Sequence, residues 1–573
     1  MIMDPIEPFR KEVECKVREI LESIGVEASF EIETPPSDIA DFAVPCFPLA
    51  KILKRSPMDI ADELASKMGD MKLFTRVWNE RGYLNFKADD HLLIGTTLKE
   101  ILETREDYGK GNGKMESILL EHTSVNPTGP IHVGRARNPL IGDTLARCLR
   151  FYGHDVITEY YVNDVGKQVV LLTWGLENLT EDQVEVPESE KVDHRLVGYY
   201  RKANHLMEFD PHVGEAIQEM LRRFEEGDQD IIDRVRRTAK RMLDGIGISL
   251  EKVGVEIDSL VWESQFIVDG TAREVVDRLK SSGYAMEEEG AYYLDLESFG
   301  VHGHDTRWFF TRNDGTTLYT TRDLAYHLNK FSRADHLINV LGEDQKLGMQ
   351  QLASALTILG EERKPENVFY SFVSLPEGKM STRRGTVVNL DDLIEEAEER
   401  ALEEVRKRRT DLTEERMMEI SKAIGSGAIR YNILRVQSEK QMVFRWEDAL
   451  NFEGNSAPFL QYSHARACSI LRKAGKYETV VDSSLLTDPY ERRLIRVLAR
   501  FPGVLEEAAE KRRIHLLPSY GQEVASAFNQ FYTYVPVLRS GENRGARISL
   551  VEATMWVLKN TLNTLGIVAP EEM

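Results

Sequence analysis

The hydrophobic pattern alternates between strand and helix periods in the middle of the chain. An apolar run at residues 117–122 precedes a helical pattern at 134–152, and a second strand-like run follows at 156–161. Strand, helix and strand in this order open a doubly wound parallel sheet, which binds ligands beyond the carboxyl ends of its strands. Strand patterns return at 292–294, 308–311, 337–341 and 369–373. We therefore predict an α/β, Rossmann-like central domain with a parallel sheet.

Other patterns flank this domain. Residues 8–24 are helical in period and 28–32 and 83–86 are strand-like, which indicates a small N-terminal α/β domain. From residue 393 to the end the pattern is helical, for example at 415–436. We predict four parts: 1–112, the N-terminal domain; 113–390, the Rossmann-like domain with a mostly helical insertion at about 172–262; 391–455, a helical connecting region; and 456–573, an all-α domain.

Composition narrows the class of protein. No run of about 18 apolar residues is present, and the first ten residues lack the charge and apolar order of a signal peptide. We therefore expect a soluble cytoplasmic protein without membrane contact. Cys15, Cys46, Cys148 and Cys468 are far apart and form no C-x-x-C pair, so we expect neither protein-bound zinc nor a disulfide framework.

Charge is unevenly distributed. The whole chain carries −22, but residues 456–573 hold 15 Lys plus Arg against 12 Asp plus Glu, a net of +3, so the rest carries −25. Because phosphate contacts need Lys and Arg, a nucleic acid partner would meet the C-terminal part and local basic patches. The alternative is that the acidic surface serves only solubility.

Two segments carry candidate chemistry. Residues 121–135 read E-H-T-S-V-N-P-T-G-P-I-H-V-G-R, so that His132 and Gly134 start a helix, where phosphates bind readily. Residues 377–385 read E-G-K-M-S-T-R-R-G, a basic loop able to stabilise a departing pyrophosphate. Alone, the first favours a buried histidine that caps a turn and the second a solvated basic loop. Together in one sheet domain they predict two clamps on a nucleoside triphosphate.

The order of these segments resembles a known family. Class I aminoacyl-tRNA synthetases have the same layout: a strand, the H-x-G turn, a sheet with an insertion, a K-M-S loop and a helical C-terminal domain. In detail the chain is similar to arginyl-tRNA synthetases, and the resemblance covers nearly all of it. Further matches are Y-V-N-D-V-G-K-Q at 161–168, D-G-T-T-L-Y-T-T-R-D-L-A-Y-H at 314–327, A-L-N-F-E-G-N-S-A-P-F-L-Q-Y-S-H-A-R at 449–466 and L-G-I-V-A-P-E-E-M at 565–573.

The resemblance implies an arginine pocket. In that family an acidic residue binds the guanidinium group of arginine, and the matching residue here is Asp323. Tyr319 lies one helical turn earlier on the same face. A carboxylate suits that task because its two oxygens accept two parallel N–H bonds from the planar fork. Gln345 is implied to contact the same side chain, and Glu121 and Asn126 the α-amino and carboxylate groups. Without the family, an ordinary surface ion pair of Asp323 with Arg322 or with a neighbouring helix would be the simpler interpretation.

The resemblance also implies which residues handle ATP and its Mg²⁺. Catalytic roles go to His132, Gly134, Arg135, Lys379 and Ser381, and ATP binding to Thr128, Gly129, His132, Gly134, Lys379, Met380 and Arg383. No metal ligand of the protein is implied. Two positions depart from the family pattern: the usual H-x-G-H ends in Arg135, and the second lysine of K-M-S-K-S is replaced by Thr382.

For tRNA, the resemblance implies that residues 456–573 form an anticodon-binding domain. It also implies that the N-terminal domain binds the elbow of the tRNA. The expected tRNA contacts are Tyr462, Arg466, Phe531 and Met573. The expected activity is that of an arginine-tRNA ligase, a monomer acting on L-arginine, ATP and tRNA(Arg). Two alternatives stay open: a nucleotidylyltransferase of the same fold, which would not need about 180 residues after the K-M-S loop, and a synthetase-derived binding or regulatory protein without catalysis.

Overall fold

The computed structural model describes residues 4–35, 40–111, 115–186, 189–302, 306–374 and 389–573. Its N-terminal domain is built from α1 (Glu7–Ser23), β1 (Phe42–Pro45), α2 (Phe47–Leu53), α3 (Pro57–Lys67), β2 (Phe74–Glu80) and β3 (Tyr83–Ala88), and α4 (Asp90–Thr104) follows. The three strands form one antiparallel sheet of order β1-β3-β2. Phe9 of α1 packs on Phe42 and Phe74 of the sheet, so this small domain has its own aromatic core.

The two strands predicted for this domain have different outcomes. The strand predicted at 83–86 is confirmed within β3. The strand predicted at 28–32 is wrong, because these residues form no ladder and only Glu33 makes an isolated bridge, to Ala43. The alternation that suggested a strand has another cause: Ala28, Phe30 and Ile32 pack against the core of the domain.

The central domain alternates strands and helices. It contains β4 (Ser117–Glu121), α5 (Arg137–Tyr152), β5 (Asp155–Val162), α6 (Lys167–Asn178), α7 (Val192–Phe209), α8 (Pro211–Glu225), α9 (Gln229–Lys252), β6 (Ser259–Trp262), α10 (Gln265–Val268), α11 (Thr271–Lys280), β7 (Ala285–Glu288), β8 (Ala291–Asp295), β9 (Arg307–Phe309), α12 (Tyr319–Phe331), β10 (His336–Gly342), α13 (Lys346–Ile358) and β11 (Glu366–Tyr370). The predicted strands at 117–122, 156–161 and 337–341 are confirmed as β4, β5 and β10.

Five of these strands form the predicted parallel sheet, in the order β11-β10-β4-β5-β6. The chain builds outward from β4 in one direction and later returns to its other side with β10, so the strand order reverses between β4 and β10. In doubly wound sheets a crevice opens at such a reversal, beyond the carboxyl ends of the strands. Glu121, the last residue of β4, pairs with Asn339 of β10 at this position.

Two segments interrupt the sheet. The first, between β5 and β6, contains α6 to α9 with their own apolar core. It overlaps the range of about 172–262 that was predicted as a mostly helical insertion. However, α6 begins before that range, at Lys167, and the range also includes β6, which belongs to the parallel sheet. The second segment forms a separate antiparallel sheet of order β7-β8-β9. The strands predicted at 292–294 and 308–311 belong to this sheet, not to the parallel one.

The remainder of the described chain is mainly helical. It contains β12 (Val373–Ser374), α14 (Leu390–Arg408), α15 (Glu414–Leu434), β13 (Met442–Val443), α16 (Trp446–Ala449), α17 (Ala457–Ala474), α18 (Pro489–Ala499), α19 (Phe501–Glu510), α20 (Leu516–Tyr534) and α21 (Arg544–Thr564). The helix predicted at 415–436 is confirmed as α15. One large apolar core runs from the parallel sheet through α14 and α15 into these C-terminal helices. No helix of the described residues is long and apolar enough to cross a membrane.

Buried arginines join these parts. Arg430 of α15 donates to Asp143 of α5 at 2.5 Å, to the backbone oxygen of Val253 at 2.7 Å and to that of Leu565 at 2.7 Å. Arg137, the first residue of α5, donates to four backbone oxygens, those of Ser371, Val436, Gln437 and Lys440. The position of α5 relative to the C-terminal helices is therefore fixed by hydrogen bonds as well as by apolar packing.

Candidate active site

A cavity of about 400 Å³ lies where the strand order reverses, at the carboxyl ends of β4, β5 and β10. The structure brings together in its walls all the residues predicted to bind arginine, and Arg135 with them: Glu121, Asn126, Arg135, Tyr319, Asp323 and Gln345. They come from β4, the loop after it, the start of α12 and the turn after β10. Residues more than 200 positions apart in sequence thus face one space.

Glu121 ends β4 and is nearly buried. The ammonium of Lys330, which is fully buried on α12, donates to Oε2 of Glu121 at 2.7 Å. The hydroxyl of Ser124 donates to the other carboxylate oxygen at 3.2 Å. The charge of Glu121 is therefore compensated inside the protein, and the carboxylate is held in one orientation at the wall of the cavity.

Asp323 lies on the first turns of α12 with 29% of its side chain exposed. Burial opposes its ionisation, but the hydrogen bond from the N–H group of His327 and the ammonium of Lys330 hold the pKa of the carboxyl below its usual value. Arg322 is not its partner, because Arg322 turns away and donates to buried Glu263 at 2.6 Å. Tyr319 begins the same helix and is 68% exposed, so its ring stands at the mouth of the cavity.

The predicted phosphate-binding turn is a short 3₁₀ segment, Val133–Arg135, that leads into α5. Nδ1 of His132 accepts a hydrogen bond from the backbone N–H of Gly134 at 3.0 Å, which leaves Nε2 of the ring as its donor. Partial burial and the neighbouring Arg135 lower the pKa of His132, so the ring is neutral at pH 7. Arg135 is exposed, with its guanidinium carbon 5.8 Å from the ring centre of Phe372.

Gly134 is closely packed in this turn. A Cβ at residue 134 would lie 3.0 Å from Nδ1 of His132 and 3.5 Å from the backbone oxygen of Val373. Thr128 and Gly129 precede the turn and are half-buried, but they do not line the cavity. The α-carbon of Gly129 faces Val197 of α7, so the helical insertion packs on this loop.

Lys379, Met380, Ser381 and Arg383 lie in residues 375–388, outside the described part of the chain. The residues on both sides of that range contact the His132 turn. β12 ends at Ser374, after Val373 has passed beside Gly134. Asn389 forms an isolated bridge with His132, and the backbone N–H of Leu390 donates to the oxygen of Ile131 at 2.8 Å. The described residues on either side of 375–388 therefore both lie next to the predicted phosphate site.

One cluster in the described residues has the composition of a metal site. Ligand atoms of Asp193, His194 and Asp391 lie within 4.8 Å of one another. The ammonium of Lys191 stands among them, 2.9 Å from Asp193 and 2.7 Å from Asp391, and it also contacts Ser249. Because an ammonium already contacts both carboxylates, the cluster is an internal ion network. It joins α7 and α9 to the start of α14.

Several residues at the cavity escape sequence reasoning. Glu263 and Tyr161 line it, and the buried hydroxyl of Tyr161 has no hydrogen-bond partner in the described residues. Burial raises the pKa of Tyr161 well above its usual value, so this hydroxyl is a donor available to a ligand. His327 and Lys330 lie four and seven residues after Asp323, on the same face of α12. That helical spacing is a signal that could have identified both.

The residues predicted to contact tRNA lie in different environments. Tyr462 is 41% exposed, and the guanidinium carbon of Arg466 lies 4.6 Å from its ring centre and 5.1 Å from that of Tyr532. Phe531 is fully buried, so the prediction that its ring contacts tRNA is wrong: the ring packs in the core, and the exposed neighbour is Tyr532. Met573 packs against the core between α14 and α15, and its backbone oxygen accepts from Arg409.

Comparisons with known proteins agree along the whole chain. The family model for the catalytic domain of class I tRNA synthetases (R) matches residues 97–446. A DALR anticodon binding domain model matches 460–573, and an arginyl tRNA synthetase N terminal domain model matches 8–88.

Individual relatives give the same picture. The chain is 47% identical over 546 residues to arginine–tRNA ligase of Methanocella arvoryzae, with 95% of each chain covered. It is 42% identical over 571 residues to that of Methanothermobacter thermautotrophicus, with 99% of each covered. The solved arginyl-tRNA synthetase of Thermus thermophilus superposes with a TM-score of 0.83 at 29% identity, covering 98% of this chain and all of the other.

Proposed function

The chain belongs to the arginyl-tRNA synthetases of class I, and from that premise we propose that the cavity between β4, β10 and α12 binds arginine beside ATP. The enzyme is an arginine-tRNA ligase: it joins L-arginine to tRNA and converts ATP to AMP and pyrophosphate. One observation carries the assignment of the site. Five residues named from the sequence for arginine binding line a single cavity at the reversal of strand order.

For arginine, we assign the guanidinium group to Asp323. Its carboxylate is ionised, partly exposed to the cavity and not paired with Arg322, so it can accept two parallel N–H bonds. Tyr319 and Gln345 flank this end of the substrate. Glu121 and Asn126 take the α-amino and carboxylate groups at the other end.

For ATP, we assign the phosphates to the turn at the start of α5. The backbone N–H groups of a helix N-terminus and its partial positive charge favour anions there. His132, with Nε2 as donor, Gly134 and Arg135 contact the phosphates in this proposal, and Thr128 and Gly129 line the approach. Lys379, Met380, Ser381 and Arg383 supply the second clamp. Mg²⁺ enters as the ATP complex, bound to the phosphate oxygens of the substrate.

The chemistry needs no nucleophilic side chain. A carboxylate oxygen of arginine forms a bond to the α-phosphorus of ATP, and the bond to the bridging oxygen breaks, so pyrophosphate leaves with the electron pair. A ribose hydroxyl at the tRNA end then attacks the acyl carbon, loses its proton and displaces AMP. The protein contributes by positioning the reactants and by stabilising charge on the phosphates.

We propose that tRNA(Arg) binds along the C-terminal helices, with Tyr462, Arg466 and Met573 among its contacts. An exposed ring beside a guanidinium is suited to base stacking next to a phosphate. The domain limits given above, residues 1–112, 113–390, 391–455 and 456–573, remain part of this proposal, with the N-terminal domain on the tRNA elbow. So do a monomeric state and a cytoplasmic location.

Arginine-dependent pyrophosphate exchange, measured with and without tRNA(Arg), tests the function. We expect exchange that requires arginine and is increased by tRNA. No arginine-dependent exchange in either condition would contradict the enzyme function and favour a regulatory protein. Exchange that needs another acceptor in place of arginine would favour a nucleotidylyltransferase, the alternative that the family matches do not favour.

A further inference from the structure

A chain of hydrogen bonds along the wall of the cavity joins the two carboxylates assigned to the ends of arginine. The ammonium of Lys330 donates to Glu121 at 2.7 Å and to Oδ1 of Asn339 at 2.9 Å. Nδ2 of Asn339 lies 3.1 Å from Nε2 of His327. Nδ1 of His327 lies 3.1 Å from Oδ1 of Asp323. Lys330, Asn339 and His327 are all buried.

The donors and acceptors of this chain determine where each hydrogen lies. An ammonium only donates, so the oxygen of the Asn339 amide must face Lys330 and its NH₂ group must face His327. The other hydrogen of that NH₂ group is directed at Oδ1 of Asn367, 3.2 Å away. Nε2 of His327 therefore meets a donor and must be the acceptor.

The other ring nitrogen is fixed by the same reasoning. Nδ1 of His327 faces two acceptors, Oδ1 of Asp323 and the backbone oxygen of Asp323, which lies 2.9 Å away. It must therefore carry a hydrogen. The arrangement that satisfies every contact is a neutral imidazole protonated on Nδ1 alone. A second proton on Nε2 would point at the NH₂ group of Asn339 and break this contact.

We propose that Lys330 and Asn339 hold His327 neutral, so that Asp323 keeps an uncompensated negative charge for the guanidinium group of the substrate. The inference rests on the proposed role of Asp323. A neutral imidazole fixes the Asp323 carboxylate through one N–H and leaves its charge intact. An imidazolium would form an internal ion pair with Asp323 and compete with arginine. His327, Asn339 and Lys330 are thus positioning residues for substrate selection.

The other charged groups around this network are paired with one another: Glu263 with Arg322, and Glu159 with Arg333. On α12 the ring of Tyr326 lies edge-on to His327 at 5.8 Å between centres. From β4, Glu121 faces Lys330, so these two opposite charges cancel. From α13, the neutral sulfur of Met349 lies 4.0 Å from Nδ2 of Asn339. Asn367 of β11 is neutral as well. Asp323 is left as the net charge of this network.

The protonation state can be observed directly in the full-length chain. With ¹⁵N-labelled histidine, the His327→Asn variant identifies the signals of His327 by their loss. We expect the native ring at pH 7 to carry a hydrogen on Nδ1 and none on Nε2. A hydrogen on Nε2, or on both nitrogens, would overturn the proposal. This measurement does not depend on whether any other variant folds.

Kinetics test the consequence for arginine. Asn339→Asp places a carboxylate at Nε2, so His327 takes up a second proton and becomes a cation beside Asp323. We expect the KM for arginine to rise roughly tenfold, the effect of one charge-assisted hydrogen bond, and the KM for ATP to stay unchanged.

A double variant separates this effect from a merely structural one. In His327→Asn the amide of asparagine still donates to Asp323, but no imidazole remains to take a second proton. Adding Asn339→Asp to that background should therefore leave the KM for arginine unchanged. An equal rise in both backgrounds would contradict the proposal. If instead Asp323→Asn left the KM for arginine unchanged, the assigned pocket, and not only this inference, would be wrong.

Discussion

At the scale of single residues, Asp323 and Arg322 show how neighbours in sequence take different tasks. Arg322 is buried against Glu263, while Asp323 faces the cavity with His327 as its partner. The resemblance to the family assigned Asp323 to the guanidinium group of the substrate. The residue pattern alone favoured an ion pair between Asp323 and Arg322. Helix geometry explains the outcome, because adjacent residues on α12 are turned about 100° apart.

Asp323→Asn tests the assigned arginine pocket. The variant keeps the shape of the side chain but removes the charge, so we expect the KM for arginine to rise by roughly 10- to 100-fold, as for loss of a charge-assisted hydrogen bond. The KM for ATP should not change. Asp277→Asn, at an exposed position of α11 outside the cavity, is the matched control and should leave both constants unaltered.

The limits of sequence reasoning are also clear at this scale. His327 and Lys330 share a helix face with Asp323 and could have been inferred from spacing. Asn339 and Glu263 could not, because they reach the cavity only when β10 and β6 take their places in the sheet. Phe531 was misassigned because an aromatic residue on a helix has the same spacing whether it faces solvent or the core. Only its burial, at 0% exposure, separates the two cases.

At the scale of elements, the start of α14 is held by the Lys191 network. Asp391 lies on the first turn of that helix, directly after Leu390 and Asn389, which contact the His132 turn. The helical insertion therefore supports the predicted phosphate site through Lys191 and Asp391. Sequence did not reveal this link, since the two residues are 200 positions apart.

Asp391 gives this network a defined pH dependence. Burial opposes its ionisation, but His194 and Lys191 lower its pKa to about 2 from an ordinary value of 3.8. Because the pKa in the folded state is depressed, the stabilisation is present above pH 4 and is lost as the pH falls towards 2. It amounts to roughly 2 kcal/mol.

Urea unfolding between pH 6 and pH 3 measures this effect. Asp391→Asn should lower the free energy of unfolding at pH 6, and the difference from the native chain should shrink towards pH 3. Asp411 is a matched control: its pKa is also lowered to about 2, by Arg409, but it is fully exposed. Asp411→Asn should therefore have little effect on stability. A constant difference for Asp391→Asn across this pH range would contradict the assignment.

The contact of α5 with the residue that follows β4 depends on a glycine. A Cβ at Gly142 would lie 2.3 Å from Cβ and Cγ of His122, which is buried and whose pKa burial lowers to about 4. Gly142→Ala should therefore destabilise the fold by about 1–3 kcal/mol, as overpacking does. Gly95→Ala on α4, where no atom lies within 4 Å of the new Cβ, should stabilise it slightly. Thermal unfolding of both variants makes the comparison.

At the scale of the whole molecule, the sequence predicted separate domains, whereas the structure packs the parallel sheet and the C-terminal helices on one core. The periods of the hydrophobic pattern located the sheet and the helices. They could not show that one core joins the two, because a contact such as that of Arg430 with Leu565 has no local signal. Deletion of residues 456–573 would therefore expose the core of the catalytic sheet, and lost charging would not by itself demonstrate tRNA binding.

A surface substitution is the sharper test of the tRNA contact. Tyr462→Ala removes an exposed ring beside Arg466 and should raise the KM for tRNA(Arg) by roughly 10-fold, the value of one base stacked on an aromatic ring. The KM values for arginine and for ATP should not change. Tyr284→Ala, which removes a comparably exposed ring on the β7 side of the molecule, serves as the control. Equal effects of the two substitutions would contradict the assigned contact.

Arg137 links these scales, because in the described part of the chain its guanidinium forms no ion pair with a carboxylate. Its guanidinium donates to the backbone oxygens of Ser371, Val436, Gln437 and Lys440, which are dipoles and not anions. Burial lowers its pKa to about 10, so it remains charged at pH 7. A permanent positive charge thus lies at the first residue of α5, two residues after Arg135. A polyphosphate approaching this helix is attracted before it forms a single hydrogen bond.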